Sequence, residues 1–161
     1  MFEVRAPATK REYDAMYDLR WRILRKPWKQ PRGSERDGLD GTNKVWNVIA
    51  IEKSALKGVE DKVIGTARLH KNSGLECQIR FMCVDGKYRN FGAGKRMLDF
   101  LHQTAARMGM KKIVADVREN ARQFYLMHGY AVTGKSRTLF GEIPHVRMEK
   151  NLGEEKWKRG G

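Results

Sequence analysis

Apolar positions recur with two different periods along the chain, and the changes of period predict where strands and helices alternate. Apolar runs predict strands over about residues 2–6 and 45–51, because short runs of this kind between turn residues are typical of buried strands. Alternation from Val63 to Leu69 predicts a third strand, which forms a hairpin with the second. Four further strands are expected over residues 78–84, 112–117, 130–134 and 143–149.

Helical spacing of apolar residues predicts three helices. The first begins at Thr9, which forms a Thr-x-x-Glu capping box with Glu12, and it runs to about Leu24. The second covers about residues 92–108 and the third about residues 121–128. Each of the last two is followed directly by a glycine, the residue that most often ends a helix.

The order of these elements predicts an α/β fold. Residues 26–44 contain prolines and glycines among charged residues, which predicts a long loop with one helical turn, and long loops inside compact domains are often functional. Antiparallel strands come first, and a strand–helix–strand–helix unit follows. The 161 residues and 18.6 kDa favour one domain over residues 1–152, with a charged, flexible tail over residues 153–161.

The chain is strongly basic. Lys and Arg number 33 against 19 Asp and Glu, which gives a formal net charge of +14. This charge indicates an anionic partner, such as an anionic small molecule, nucleic acid or membrane headgroups, without identifying it. No apolar stretch is long enough to span a membrane and the first residues do not resemble a signal peptide, so we expect a cytoplasmic protein with no membrane partner.

The cysteines and histidines predict neither a disulfide nor a metal site. Cys77 and Cys83 are six residues apart in one predicted strand, which separates them by roughly 20 Å, beyond the reach of a disulfide. Free cysteines fit a reducing cytoplasm. The four histidines form no zinc-binding spacing with each other or with the cysteines, so no metal is expected.

The segment with the clearest chemistry lies between the fourth strand and the second helix. A basic loop with Gly92 and Gly94 precedes the start of that helix, where backbone N–H groups and the helix dipole can bind phosphate. Arg89 and Lys95 add positive charge. The segment lacks the glycine and Ser/Thr of a Walker A loop, and Met97 stands where a dinucleotide motif needs its third glycine.

This loop resembles the acetyl-CoA pyrophosphate loop of the GNAT N-acetyltransferase superfamily, which has the pattern Gln/Arg-x-x-Gly-x-Gly/Ala. A second block also resembles the family pattern Asn-x-x-Ala-x-x-Phe-Tyr, followed by a Gly-Phe/Tyr pair. The matching residues here are Ala121, Phe124, Tyr125, Gly129 and Tyr130. Arg118 replaces the common Asn, and Asn120 is displaced by two residues.

The two ends of the chain narrow the resemblance to the ElaA-like branch of the superfamily. One matching segment is Leu19–Arg25, which is followed by a proline after one residue, and a second is the acidic stretch 35–40. The third is Glu142-Ile143-Pro144-His145 with Met148. The matches together span residues 19–148.

The resemblance implies a GNAT fold and an acetyl-CoA-dependent acyltransferase. The expected fold has a central mixed, mostly antiparallel sheet of six to seven strands flanked by about four helices. The acetyl group of acetyl-CoA would be transferred to a primary amine of a small molecule or peptide by direct attack in a ternary complex. Tyr125 occupies the position of the family's general acid toward the CoA sulfur. The residues expected to bind acetyl-CoA are Met82, Cys83, Val84, Arg89, Asn90, Phe91, Gly92, Ala93, Gly94 and Lys95.

The general base is less defined. Gln78 stands where some relatives have a glutamate and cannot accept a proton. The candidates are Glu76 on the same strand, His145 on the last strand and the carboxylates of the acidic stretch 35–40, and deprotonation through ordered water is the alternative. Cys83 lies in an apolar strand with no base beside it, which favours a packing role over a nucleophilic one.

One acidic cluster in the long loop is the candidate binding site for the amine that accepts the acetyl group. Glu35, Asp37 and Asp40 would attract an amine to a protein that is otherwise cationic. A homodimer through the last strand is possible in such a fold. Two other functions stay open: a basic nucleic-acid-binding module, although the chain has no known nucleic-acid-binding motif, and a CoA-binding protein without catalysis.

Overall fold

The computed structural model describes residues 2–153, which form seven strands and three α-helices. The predicted tail lies outside the described residues, except for Gly153. The strands are β1 Phe2–Arg5, β2 Val45–Glu52, β3 Lys62–Lys71, β4 Glu76–Val84, β5 Lys112–Arg118, β6 Ala131–Leu139 and β7 Ile143–Asn151. The α-helices are α1 Lys10–Leu24, α2 Ala93–Arg107 and α3 Arg122–Met127.

The strands form one mixed sheet in the order β1-β2-β3-β4-β5-β7-β6. Strands β4 and β5 are parallel, whereas β1 pairs with β2, β5 with β7, and β6 with β7 in antiparallel fashion. The predicted mixed, mostly antiparallel sheet with seven strands is confirmed. Where about four flanking helices were expected, the described residues contain three α-helices and three 3₁₀ turns, at Lys26–Trp28, Gly86–Tyr88 and Glu119–Ala121.

The described chain folds as two compact units. The first contains residues 2–69 and 81–101. In this unit, Met16 and Tyr17 of α1 pack with Ile49 and Ile51 of β2 in one buried cluster. A second cluster joins the end of α1 to the end of β4 and consists of Leu19, Leu24, Phe81 and Cys83. Burial of these side chains is the main force that fixes α1 on the sheet.

The second unit contains residues 70–80 and 102–153. Its core is formed by β5, in which Ile113, Val114 and Ala115 are all buried. Every residue of β5 pairs with a residue of β7, and Met148 of β7 is also fully buried. Because three consecutive residues of a strand point to alternate faces, their burial shows that both faces of β5 are covered at this point, in agreement with its interior place in the sheet.

Local signals set the ends of two helices. The Thr9 hydroxyl accepts a hydrogen bond from the backbone N–H of Glu12, and the Glu12 carboxylate accepts from the backbone N–H of Thr9, which completes the predicted capping box. Just after the C-terminal end of α2, Gly109 has φ 75°. Backbone hydrogen bonds from Gly109 to Ala106 and from Met110 to Ala105 form a Schellman motif there.

Two elements differ from the sequence expectation. The predicted helix over residues 121–128 is an α-helix of six residues, Arg122–Met127, preceded by the 3₁₀ turn Glu119–Ala121. Strand β6 continues beyond the predicted 130–134 as far as Leu139. Its last residues are mostly polar and exposed, so their strand conformation depends on pairing with β7 rather than on an apolar pattern.

Candidate active site

The loop between β4 and α2 contains two residues in the left-handed backbone region. Asn90 has φ 68° and Gly92 has φ 88°, and α2 begins at Ala93 directly after them. Left-handed residues close to a helix start turn backbone N–H groups toward one side, and this is the geometry that binds phosphate. A Cβ built on Gly92 has no atom within 4 Å, so there is open space beside this part of the loop.

The start of this loop is anchored within the first unit. The backbone N–H of Asp85 donates to the carbonyl of Ile64 at 2.8 Å, and the Asp85 carboxylate accepts from the N–H of Lys87 at 3.0 Å. The Tyr88 hydroxyl hydrogen-bonds to the carboxylate of Glu52. These contacts hold residues 85–88, so the following glycine segment starts from a fixed position.

The side chains predicted to bind CoA in this loop are mostly exposed. Arg89, Asn90, Gly92 and Lys95 are exposed, and the Phe91 side chain is 69% exposed. Ala93 is buried and Gly94 is half-buried. Lys95 pairs with Asp99 one turn along α2, with 3.1 Å between the charged atoms. The cationic groups of the loop are therefore accessible to an anion in solution.

Strand β4 is interrupted just before the predicted thioester segment. Its register with β5 runs from Glu76↔Lys112 to Ile79↔Ala115, and Phe81 then adopts φ 57°. A left-handed residue breaks the regular pleat of a strand, as at a β-bulge. Of the next residues, Cys83 is buried, while Met82 and Val84 are half-buried. The residue pattern gives no local signal for this break, because phenylalanine rarely adopts positive φ. The resemblance to the GNAT family alone implies a bulge of this strand, at residues 82–84.

Tyr125 lies in an aromatic cluster of the second unit. It is only 6% exposed, and its ring makes edge contacts with Phe124 and Tyr130 at centroid distances of 5.4 and 5.1 Å. Burial raises the pKa of Tyr125 well above its usual value near 10. The phenol therefore carries its proton throughout the neutral range, as a proton donor must. The Tyr130 hydroxyl lies 2.7 Å from Nε2 of His102, which fixes the neighbouring ring.

A polar network in the second unit joins side chains of β4, β5, β6 and β7. Asp116 lies at its centre and accepts hydrogen bonds from Ser136 at 2.8 Å and from Arg147 at 3.3 Å. Gln78, at the position where some relatives have a glutamate, points its amide toward the other Asp116 oxygen at 3.5 Å. The sequence analysis missed Asp116, since its partners come from three other strands and no local spacing marks them.

The base candidates Glu76 and His145 have different surroundings. Glu76 accepts a hydrogen bond from Asn72 at 2.9 Å and lies 3.9 Å from Arg147. His145 is half-buried, and its Nδ1 lies 2.9 Å from the carbonyl of Ile143. Because a carbonyl can only accept, Nδ1 carries the proton and Nε2 is left as the basic nitrogen.

Burial lowers the pKa of His145. The nearby guanidinium groups of Arg118 and Arg137 lower it further, against the opposite effects of the Ile143 carbonyl and Asp116. The imidazole is therefore neutral at physiological pH, which is the state that a general base requires.

The three acidic residues predicted to attract an amine lie against buried arginines of the first unit. Asp40 is 1% exposed at its side chain, and one of its oxygens lies 3.1 Å from a nitrogen of Arg20 and from one of Arg68. Asp37 forms two hydrogen bonds to Arg68, at 2.7 and 2.8 Å. Glu35 is buried and accepts from the N–H of Gly33. These contacts favour a structural role for Asp37 and Asp40, because their charges are already paired with buried arginines.

The described residues contain neither a metal-binding cluster nor a membrane-spanning helix. Within residues 2–153 there is no group of three or more His, Cys, Asp or Glu side chains arranged to hold a metal ion. None of the helices in that range has the length and apolar character needed to cross a membrane. Cys77 and Cys83 are both buried free thiols, and burial raises the pKa of Cys77 to about 12.

Comparison with known protein families gives one match that covers most of the chain. The sequence model of the family described as "Acetyltransferase (GNAT) domain" matches residues 48–152. This range contains β4, the loop before α2, and Tyr125, which are the features described above.

Individual relatives agree with this match. The chain is 29% identical over 91 residues to the uncharacterized N-acetyltransferase YjcF of Bacillus subtilis (strain 168), which covers 56% of this chain and 64% of that protein. A second relative from the same organism is covered to 58%. The chain thus spans about three-fifths of the length of the curated relatives that it matches.

Solved structures share the fold at lower sequence identity. Escherichia coli ElaA superposes with a TM-score of 0.75 at 17% identity, over 93% of this chain and 99% of that one. An aminoglycoside 6′-N-acetyltransferase complexed with coenzyme A also gives a TM-score of 0.75, at 15% identity, over 93% of this chain and 97% of that one.

Proposed function

Because the chain belongs to the GNAT acetyltransferase family, we propose that it transfers the acetyl group of acetyl-CoA to a primary amine of a small molecule or peptide. The observation that carries this proposal is the β4–α2 loop. Left-handed Asn90 and Gly92 precede the start of α2, with open space beside Gly92 and exposed Arg89 and Lys95 around it. This arrangement suits a pyrophosphate group.

Two segments of the chain would bind acetyl-CoA. The loop Arg89–Lys95 would bind the pyrophosphate through backbone N–H groups and cationic side chains. The backbone of Met82, Cys83 and Val84, directly after the left-handed Phe81, would bind the pantetheine arm and the thioester. Cys83 is buried with Phe81 in an apolar cluster, which supports a packing role for its thiol.

The reaction would be a direct transfer in a ternary complex. The amine nitrogen attacks the thioester carbon, and the carbonyl oxygen becomes an oxyanion that backbone N–H groups of β4 can stabilise. The intermediate then collapses by breaking the carbon–sulfur bond. Tyr125 would donate its proton to the departing CoA sulfur, for which the phenol must be protonated, and its raised pKa keeps it so at neutral pH.

The proton of the amine would pass to His145. Its Nε2 is the basic nitrogen, and its lowered pKa keeps it neutral near pH 7. Glu76 and Asp116 are the other proton acceptors on this face, but both already interact with Arg147. His145 is therefore the preferred base. We place the reaction in the cytoplasm, where Cys77 and Cys83 remain thiols.

The test is turnover with defined acceptors. Acetyl-CoA is incubated with a panel containing spermidine, kanamycin, a lysine-containing peptide and a peptide with a free N-terminus. Thiol release is followed by absorbance and the acceptor is examined by mass spectrometry. An acceptor that gains one acetyl group on nitrogen supports the proposal. Thiol release without an acetylated amine, or no turnover with the whole panel, contradicts it.

A further inference from the structure

The ring of Phe81 is surrounded by three guanidinium groups. The central guanidinium carbons of Arg20, Arg68 and Arg25 lie 4.5, 4.9 and 5.7 Å from the centroid of the ring. Phe81 is buried, and Arg20 and Arg68 are fully buried. Cations stacked on an aromatic face attract it more strongly when they are removed from water. The ring is therefore fixed by electrostatic contacts as well as by packing against Leu19 and Leu24.

Two carboxylates of the long loop hold these cations in place. Asp40 bridges Arg20 and Arg68, and its second oxygen accepts from the backbone N–H of Asp37. Asp37 binds Arg68 through both of its oxygens. The other terminal nitrogen of Arg20 donates a hydrogen bond to the side-chain oxygen of Asn47 at 3.2 Å. Two cations and two anions thus balance each other, and three of these four side chains are almost completely buried, whereas Asp37 is 24% exposed.

Stability alone does not explain this cluster, because buried ion pairs are often no more stabilising than apolar residues of the same volume. The backbone conformation of Phe81 offers an explanation. A phenylalanine at φ 57° is strained by about 1 kcal/mol or more and persists only where its surroundings impose it. Three guanidinium groups lie within about 6 Å of the ring centroid of this one residue of β4.

We propose that Arg20, Asp40 and Arg68 are positioning residues that hold the left-handed conformation of Phe81 and thereby the backbone of Met82–Val84. The cluster acts through Phe81 and does not touch acetyl-CoA. The acidic loop would then serve the site by fixing its backbone rather than by attracting the acceptor. This inference rests on the proposed function for its catalytic meaning, whereas its structural part can be tested separately.

The first test measures the backbone directly. Amide and Cα chemical shifts are compared between the wild type and Asp40→Asn, which keeps the shape of the side chain and removes its charge. We expect shift changes concentrated at residues 81–84, with Cys77 and Ile79 of the same strand little affected. Asp14→Asn is the matched control, since Asp14 is exposed on α1 and pairs with the exposed Lys10. A folded Asp40→Asn protein with unchanged shifts at residues 81–84 overturns the proposal.

A second variant keeps the test decisive if Asp40→Asn does not fold. Arg68→Lys keeps the positive charge beside Asp37 and Asp40 but removes the planar group that stacks on the ring. We expect the same pattern of shift changes at residues 81–84. Unchanged shifts in this variant also overturn the proposal.

The ligand measurement separates positioning from general destabilisation. Calorimetry is used with acetyl-CoA and with ADP, which carries a pyrophosphate but no pantetheine arm. We expect Asp40→Asn or Arg68→Lys to weaken acetyl-CoA binding by about tenfold or more and ADP binding by less than about twofold. Equal weakening of both ligands contradicts the positioning role. If the wild type binds no acetyl-CoA, the proposed function fails, and the shift comparison still decides the positioning role.

Discussion

Tyr125 is the residue on which the proposed protonation of the CoA sulfur depends. Replacement by phenylalanine removes only the hydroxyl and keeps the edge contacts with Phe124 and Tyr130. With an accepted amine, we expect kcat to fall by about a hundredfold, while the Kd of acetyl-CoA stays the same. Tyr13→Phe is the matched control, because Tyr13 is exposed on α1. An unchanged kcat in Tyr125→Phe would remove this residue from the mechanism.

The lowered pKa of His145 predicts how the rate depends on pH. A base acts in its deprotonated form, so kcat, which reports the ternary complex, rises as pH increases through the pKa of that base. Because the pKa of His145 is lowered, we expect the rise to end below neutral pH. Because the pKa of Tyr125 is raised, no fall is expected between about pH 7 and 10.

The variant His145→Gln identifies the group responsible for that rise. It should lose the acidic limb of the pH profile together with most of the rate. Glu76→Gln is the comparison, since Glu76 is already bound by Asn72 and lies near Arg147. A profile that keeps its acidic limb in His145→Gln but loses it in Glu76→Gln would assign the base to the carboxylate instead.

At the scale of elements, the start of α1 is tied to β1 by an ion pair. The Glu12 carboxylate accepts hydrogen bonds from Arg5 at 2.9 and 2.6 Å. These bonds, with those from the backbone at Ala8 and Thr9, lower the pKa of Glu12 from 4.5 to about 2. A carboxylate with a depressed pKa stabilises the folded state above its unfolded pKa, and this contribution disappears as pH falls toward 2.

Glu12→Gln tests this link, because glutamine can still serve the capping box but cannot pair with Arg5. We expect the free energy of unfolding to fall by about 1 kcal/mol at pH 7 and the difference from wild type to shrink between pH 5 and 2. Denaturant unfolding at several pH values measures it. Asp99→Asn, which breaks an exposed pair with Lys95, should cost less. A pH-independent difference for Glu12→Gln would contradict the ion-pair account.

The same scale shows why some features could be predicted from the sequence and others could not. The start of α1 at Thr9 depends on residues close to Thr9 in sequence, and the end of α2 at Gly109 depends on residues close to Gly109. Both helix ends were predicted. The left-handed turn at Phe81 depends on Arg20 and Arg68, which are distant in sequence. The polar network at Asp116 joins residues of four strands. Only the assembled sheet brings such partners together.

At the scale of the whole molecule, the net charge of +14 is only partly related to the proposed site. Several acidic residues are paired internally, as Asp37 and Asp40 are with buried arginines, so they do little to offset the cationic surface. A cationic surface draws anions such as acetyl-CoA by long-range attraction. It would equally draw nucleic acid, which is why charge alone cannot identify the ligand. The prediction that residues 1–152 act as one domain stays a prediction.

The most direct test of the proposed function is calorimetric titration of the protein with acetyl-CoA. We predict binding by the wild type and a loss of at least about tenfold in affinity for Gly92→Glu, because a carboxylate would then lie beside the pyrophosphate. Gly58→Glu is the matched control, since Gly58 has φ 83° and equally open surroundings. It therefore reproduces the strain and the charge change away from the β4–α2 loop, and it should bind like the wild type.

Two results of this titration would contradict the proposed function or its site. If Gly92→Glu binds acetyl-CoA as well as Gly58→Glu does, the pyrophosphate is not held by the loop between β4 and α2. If the wild type shows no binding at low salt, where attraction between charges is strongest, the chain does not use acetyl-CoA and the account of its function is wrong.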